Sequence, residues 1–303
     1  MWQCPLCKLP LKTVQENKPN LPYKTWFCEN KHTFDKAKQG YVNLLPVQNK
    51  RSKMPGDDAE MVAARTRFFS AKPYRPLAIK LSELMRSLVS SRLADNLVSR
   101  NLDKLPPESI KIYDSGCGEG YYLEAISESL SDQFLFAGHD ISKAAVVAAA
   151  RRNKDKQLVV ASTINIPVVD QSQDIILQVF APSCASEYIR VLKPCAYVIT
   201  VDPAPEHLFE LKQMVYDSPQ LHDENKTGLE GFDIVEEHDL RFQLNLDNAE
   251  MRLALLMMTP FYWKTDDNKR ARIQMELQRV TADFRVTVWQ AALEVDSVEE
   301  STI

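Results

Sequence analysis

Ile110-Lys-Ile-Tyr-Asp114, followed by Ser115-Gly116-Cys117-Gly118-Glu119-Gly120, is the stretch that decides the fold. Its first five residues form a short apolar run bounded by a turn, which reads as a strand. Glycines at alternate positions let the backbone reverse tightly and leave no Cβ between the main chain and a ligand. Tyr121 to Leu130 then reads as a helix. An acid, Asp114, stands two residues before the first glycine, and the spacing is GxGxG rather than the GxGxxG of pyrophosphate-binding turns.

With that acid and that spacing, the turn resembles motif I of class I S-adenosylmethionine-dependent methyltransferases. Working outward, Phe134-Leu-Phe-Ala-Gly-His-Asp140 reads as a second strand ending in an acid. Asp140 is placed to accept hydrogen bonds from ribose hydroxyls; the plainer role, capping a helix over Lys143 to Arg152, is weighed against it. Leu158 to Ala161 gives a third strand, with Ala161 and Ser162 near the expected adenine edge, and Asp174 to Val179 a fourth. The loop Phe180-Ala-Pro-Ser183 comes next, where this fold faces the methyl acceptor. A helix over Glu187 to Leu192, a turn at Lys193-Pro-Cys-Ala196 and a fifth strand over Ala196 to Val201 complete the rhythm. Strands alternating with helices predict an α/β domain with a parallel sheet; the resemblance to class I methyltransferases implies that this sheet is Rossmann-like, mostly parallel and seven-stranded.

The 303 residues, 45% apolar and 26% charged, suffice for one enzyme domain with a small appendage. No apolar run reaches the roughly 20 residues of a membrane helix, and no signal opens the chain, so a cytoplasmic protein is expected. The net charge of −4 hides a polarity. Residues 1 to 56 carry ten Lys/Arg against Glu16, Glu29 and Asp35, or +7, leaving −11 for the remainder. A polyanion should therefore meet the amino-terminal segment, although a run of lysines is often only a solvated face.

That segment also holds Cys4-Pro-Leu-Cys7 and Cys28-Glu-Asn-Lys-His32. Three thiolates and an imidazole in two short-spaced pairs suit tetrahedral zinc and leave no open position, so the site should be structural. A redox CxxC needs neither Cys28 nor His32, and Pro10, Pro19 and Pro22 break the region into loops rather than a βα junction. So short a lobe would draw most of its folding free energy from the metal. Cys117 lies in the glycine turn; Cys184 and Cys195 are expected to pack.

The chain as a whole is similar to the RlmA-type guanine-N1 methyltransferases of 23S rRNA, up to about Gln290. The resemblance rests on CPLC at 4 to 7, Phe34-Asp-Lys-Ala-Lys-Gln-Gly-Tyr-Val-Asn-Leu-Leu-Pro46, Pro55-Gly-Asp-Asp-Ala-Glu-Met-Val-Ala-Ala-Arg65, Ser115 to Tyr122, and Met258-Thr-Pro-Phe261. It implies methylation of N1 of a guanine in a 23S rRNA hairpin, of the 745 type in preference to the 748 type. It places zinc on Cys4, Cys7, Cys28 and His32. Donor contacts fall on Gly118 and Glu119, on Tyr74 in Lys72-Pro-Tyr-Arg-Pro76 and on His207 in Pro205-Glu-His-Leu208, beside the Asp114, Gly116, Gly120 and Asp140 of the residue reading. It further implies a homodimer. The expected domains are a zinc-binding RNA-recognition lobe over 1–45, a linker and helical region over 46–100, a methyltransferase domain over 101–292 and an acidic, disordered tail over 293–303. Two rivals stand beside this reading: a zinc-containing methyltransferase of small molecules or proteins, and a non-catalytic RNA-binding protein.

Guanine N1 must lose its proton to become a nucleophile, and the sequence names no acceptor. Asp57, Asp58, Glu60 and the carbonyls of Ala181-Pro182 are candidates, the acids being equally suited to a first helical turn. Thr259-Pro-Phe-Tyr-Trp263 offers rings that would stack on an extruded base or simply fill the core. Lys31, Lys36, Lys38, Lys50, Arg51 and Lys53 would hold phosphates. Leu77, Leu81, Leu84 and Leu88 mark the buried face of a helix within 57–100.

Overall fold

The computed structural model describes residues 1–13, 25–46, 55–100, 109–223 and 228–292, with the backbone alone over 92–100. The decisive strand, β5 (Ile110–Ser115), lies at the centre of an eight-stranded sheet. Sheet order is β10-β11-β9-β8-β5-β6-β7-β4, with β4 Val42–Asn43, β6 Phe134–Asp140, β7 Gln157–Val160, β8 Gln173–Val179, β9 Leu192–Pro203, β10 Phe232–Asn245 and β11 Arg279–Ala291. Six strands from β4 to β9 run parallel; β11 pairs antiparallel with β9 and with β10. Every residue of β8 is buried, as a parallel strand covered on both faces requires. The chain winds from β5 outward through β6 and β7, then returns to β8 on the other side of β5, so order reverses beside the glycine turn. Ligands of open α/β sheets settle at such a switch point, beyond the carboxyl ends of the strands.

The seven strands expected of the methyltransferase sheet are thus present, and the eighth comes from the amino-terminal lobe. That lobe is a small antiparallel sheet of β1 (Lys12–Thr13), β2 (Thr25–Phe27) and β3 (Thr33–Asp35). From it the chain runs into β4, which pairs Val42 with Val159 and covers the edge that β7 would otherwise expose. Trp2 and Trp26 share a buried cluster with Tyr113 and Val159 of the large sheet and with Val168 of the loop after β7, so lobe and sheet have one core between them.

Asp58 caps α1 (Ala59–Ser70), accepting from the backbone of Glu60 and Met61. Phe68 and Phe69 on its far end are buried. In α2 (Arg75–Arg100) Leu77, Leu81, Leu84 and Leu88 are all buried, as their spacing predicted. On the sheet, α3 (Tyr121–Ser127) follows the glycine turn and α4 (Lys143–Arg152) follows β6, capped by Ser142 rather than by Asp140. Among the described residues no helix is long and apolar enough to cross a membrane.

One expected turn is replaced. Leu192 to Pro203 is a continuous strand, and Lys193-Pro-Cys-Ala196 is an irregularity within it, where the pairing to β8 jumps from Gln173–Leu192 to Ile175–Tyr197. Cys195 takes a left-handed φ of 57° there and is exposed, not packed, while Cys184 is half-buried at the start of α5 (Ala185–Val191). Lys193 keeps the segment extended by pairing with Asp174 at 2.9 Å. The acidic tail, Pro19, Pro22, Lys50, Arg51 and Lys53 lie outside the described residues.

Candidate active site

A crevice of about 690 Å³ opens at the carboxyl ends of β5 and β6. Its floor is the glycine turn. The amides of Gly116 and Cys117 both donate to the His139 carbonyl, at 2.9 and 2.8 Å, which folds the turn back onto β6. Gly116 has φ 81°, and a Cβ there would stand 2.4 Å from that of Ala181. Gly118, at φ 55°, has only the Arg65 guanidinium within 4 Å of an added Cβ, so its bare face looks into the crevice. Its amide donates to Asp140 Oδ2 at 2.9 Å, and the Ser142 amide donates to Oδ1 at 2.8 Å.

Tyr74, Asp114, Gly116, Gly118, Glu119, Asp140 and His207, seven of the eight residues expected to touch the donor, line this crevice together. Gly120 does not. It packs outward, where a Cβ would meet the Asn153 amide at 2.5 Å, and its carbonyl accepts from that side chain. Its glycine is needed for the close approach of α3 to α4.

Three carboxyls gather around the turn. Burial, with Asp140 and Glu119 nearby, pushes Asp114 up to about 8. Burial likewise raises Glu119 to about 7 against the opposing pull of Arg152, whose Nε is 3.1 Å away, and of Arg65. Asp140 is also raised by burial, even though two amides support its charge. A cation entering the crevice would relieve this crowding.

The opposite wall is aromatic and neutral. Burial pushes His207 down to about 3, and its Nδ1 accepts from the Asp283 amide at 3.3 Å, leaving the hydrogen on Nε2. Its ring packs 4.9 Å from Phe284 and 5.6 Å from Phe180. The hydroxyls of Tyr74, Tyr121 and Tyr122, all from residues lining the crevice, are buried and make no hydrogen bond among the described residues. Buried hydroxyls normally find partners, so polar atoms of a bound molecule fit here.

The remaining candidates separate. Asp57 lines the crevice and pairs with Arg65 at 2.5 Å, Asp58 is spent on capping α1, and Glu60 is exposed in its first turn. Ser162, Thr163 and Ile164 form one rim, and Ala181 and Pro182 another. Phe261 reaches the crevice from the 3-10 turn Pro260–Lys264. Tyr262 instead lies under Arg270, and Trp263 is exposed. His222, which no spacing singled out, also lines the crevice; its Nε2 meets the His207 carbonyl at 3.2 Å, so Nδ1 carries the free lone pair.

In the lobe, Cys4, Cys7, Cys28 and His32 bring their ligand atoms within 4.8 Å of one another. Around a tetrahedral zinc, two thiolates stand about 3.8 Å apart, and a thiolate and an imidazole nitrogen about 3.6 Å. Cys7 and Cys28 are 3.6 Å apart, and His32 Nδ1 lies 3.4 Å from Cys4 and 3.5 Å from Cys28. The four side chains fit zinc, and the metal would supply the cross-link that this small sheet lacks. Lys8, just after Cys7, and Lys31, just before His32, take left-handed φ values of 63° and 61°.

Fold, crevice and lobe together define a class I S-adenosylmethionine-dependent methyltransferase carrying a zinc ribbon. Residues 2–53 match the family model for the zinc ribbon at the amino terminus of RlmA, and residues 113–202 match that of a methyltransferase domain. A Bacillus subtilis protein provisionally named a 23S rRNA (guanine-N(1)-)-methyltransferase is 30% identical over 297 residues, covering 95% of each chain. The 23S rRNA (guanine(748)-N(1))-methyltransferase of Streptomyces fradiae is 31% identical, over 94% of this chain and 95% of that one. A solved methyltransferase from a complex with the Haloferax volcanii Trm112 activator shares 17% identity and a TM-score of 0.45, over 78% of this chain and 98% of its own. The chain belongs to the RlmA-type family of 23S rRNA guanine-N1 methyltransferases.

Proposed function

We propose that this enzyme methylates N1 of one unpaired or flipped guanine in a 23S rRNA hairpin. The observation that carries the reading is a single crevice with a crowded acidic floor and a neutral aromatic wall, joined through β4 to a metal-pinned basic lobe. Bound S-adenosylmethionine supplies a methyl group made electrophilic by its sulfonium.

Asp114 and Glu119 meet the donor's positive charge, and Asp140 accepts from the ribose hydroxyls with the lone pairs left free by its two amides. Gly116 and Gly118 let the main chain approach, while Tyr74 and the Nε2–H of His207 offer hydrogen bonds. Cys4, Cys7, Cys28 and His32 hold the zinc. Alignment of acceptor and methyl group is the main catalytic device. N1 faces the pairing partner in a duplex, so the base must leave the stack, and Phe180 and Phe261 offer rings to receive it. As N1 attacks, its proton passes to His222 Nδ1, and the methyl–sulfur electron pair stays on sulfur. What supports His222 is its place in the crevice and the tautomer its bond to the His207 carbonyl selects.

Residues 1–45 serve as the RNA-recognition lobe, with Lys31, Lys36 and Lys38 exposed for phosphates. Residues 46–100 link it to the transfer domain over 101–292. The enzyme works in the cytoplasm as a homodimer. Of the two neighbouring targets, the 745-type guanine expected from the sequence stands against a relative named for 748. Primer extension on rRNA methylated by the purified enzyme locates the base, since N1-methylguanine stops reverse transcription. Methylation of small molecules with no stop in rRNA overturns the proposal.

A further inference from the structure

The rim residues Ser162, Thr163 and Ile164 belong to a loop that continues to Val169, and the far half of that loop is fastened to the first eight residues of the zinc lobe. The Gln3 amide donates to the Pro167 carbonyl at 3.0 Å, and the Val169 amide donates to the Met1 carbonyl at 2.9 Å, with Trp2 bridged to Val168 between them. Lys8, next to the ligand-bearing Cys7, reaches from the knuckle to the side chain of Asn165. Trp2 anchors the segment: its ring is buried beside Trp26 and Tyr113, and its indole donates to Gln157 at the start of β7. Behind the rim, His139 of β6 meets Thr163 Oγ1 at 3.2 Å, with its ring stacked on Tyr113, so the cluster under Trp2 touches a crevice residue directly.

The knuckle is shaped by the ligand pair. Lys8 donates its amide to the Cys4 carbonyl and the Cys4 amide donates to the Leu9 carbonyl, both at 2.8 Å. A metal holding Cys4 and Cys7 therefore holds Trp2, Gln3 and Lys8 at the loop. The catalytic domain grips the same loop from behind, through Glu187 on the Ile166 amide and Arg190 on the Ile166 and Val168 carbonyls. Freeing the lobe should thus loosen the rim without unravelling it.

We propose that Trp2, Gln3 and Lys8 are positioning residues for the methyl donor, and that zinc occupancy and donor affinity are thermodynamically coupled through the loop 162–169. The amino-terminal ribbon then serves the reaction at both ends, presenting RNA outward and bracing the donor rim inward. This rests on the crevice being the donor site.

The test is calorimetric titration of S-adenosylhomocysteine into three forms of the full chain: zinc-loaded, chelator-stripped, and zinc-loaded Trp2→Ala. Circular dichroism confirms that the methyltransferase domain is folded in each, and Lys8→Met replaces Trp2→Ala if the latter is not. The expected result is a dissociation constant raised about tenfold by stripping and by either substitution, within the range usual for coupled sites. Because coupling is reciprocal, saturating S-adenosylhomocysteine should raise zinc affinity by the same factor in the wild type and not in Trp2→Ala, which a merely structural role would not produce. Unchanged donor affinity in the stripped protein and the variants overturns the coupling while leaving the donor site intact. Absence of donor binding by the zinc-loaded wild type overturns the site assignment and the coupling with it.

Discussion

The amide of Gly118 donates to Asp140 Oδ2 at 2.9 Å, tying the tip of the glycine turn to the end of the neighbouring strand. The bond joins two readings that the sequence offered separately, a turn with no Cβ in the way and an acid at a strand end. It also fixes one carboxylate oxygen at the mouth of the crevice, while Ser142 holds the other. Asp140→Asn removes the charge and one strong acceptor at nearly constant volume. Hydrogen bonds to charged groups contribute about 1.5–3 kcal/mol, so donor affinity should fall about 10- to 100-fold. Calorimetry with S-adenosylhomocysteine measures this, and a change under twofold removes Asp140 from the donor site.

Asp114 gives the site a pH signature. Its folded value of about 8 lies above the ordinary 3.8, so in the free protein the carboxyl is largely protonated at pH 7. The folded state binds more protons than the unfolded one between these values, and stability of the free protein should fall as pH rises from about 4 through about 8. A bound cation favours the carboxylate, so donor affinity should rise over the upper part of that window, with proton release. Titrations at pH 7 in buffers of different ionisation enthalpy count the protons. Proton uptake on binding contradicts the assignment.

Gly118→Val places a β-branched side chain at φ 55° and on the face open to the crevice. Donor binding should be lost while zinc content, measured on the purified protein, stays at one per chain. Normal donor binding by this variant means the ligand lies elsewhere.

His222→Gln keeps a donor for the His207 carbonyl and removes the base at Nδ1. General-base catalysis typically contributes 10²–10⁴-fold, so kcat should fall by at least about 100-fold with donor affinity unchanged. Burial holds the wild-type imidazole below the usual 6.5, so the acid limb of the wild-type rate profile should lie below that pH and vanish in the variant. A variant that keeps the wild-type kcat and acid limb shows that the proton leaves by another route.

Leu81→Ala tests the helical bridge. The side chain is fully buried in the core, on the helix that packs against α3, and such truncations cost about 2–5 kcal/mol. Thermal unfolding should shift down markedly; an unchanged midpoint contradicts the packing.

The strands from Ile110 to Val201 were legible because parallel strands are short, apolar and bounded by turns, loops or helices. Phe134–Asp140 and Lys143–Arg152 match to the residue. The four metal ligands were legible because ligand spacing is local. What local patterns could not carry is contact across the sheet. Tyr74 and His207 are brought together by packing on Phe284 and were found only through resemblance, and His222 reached the crevice with no signal at all. Gly120 was assigned to the donor because its neighbours were, although its own demand is the approach of Asn153. The bulge at Cys195 read as a turn because Lys-Pro-Cys carries turn chemistry while β8 and β11 supply the pairing. That the lobe donates a strand to the large sheet was invisible, since two residues at Val42–Asn43 make no periodic pattern.

The most direct test is incubation of 23S rRNA lacking the modification with the purified zinc-loaded enzyme and methyl-labelled S-adenosylmethionine, followed by reverse transcription. One new stop at a single hairpin guanine, with one label per RNA, is the predicted outcome; label in the RNA without such a stop, or no label at all, contradicts it.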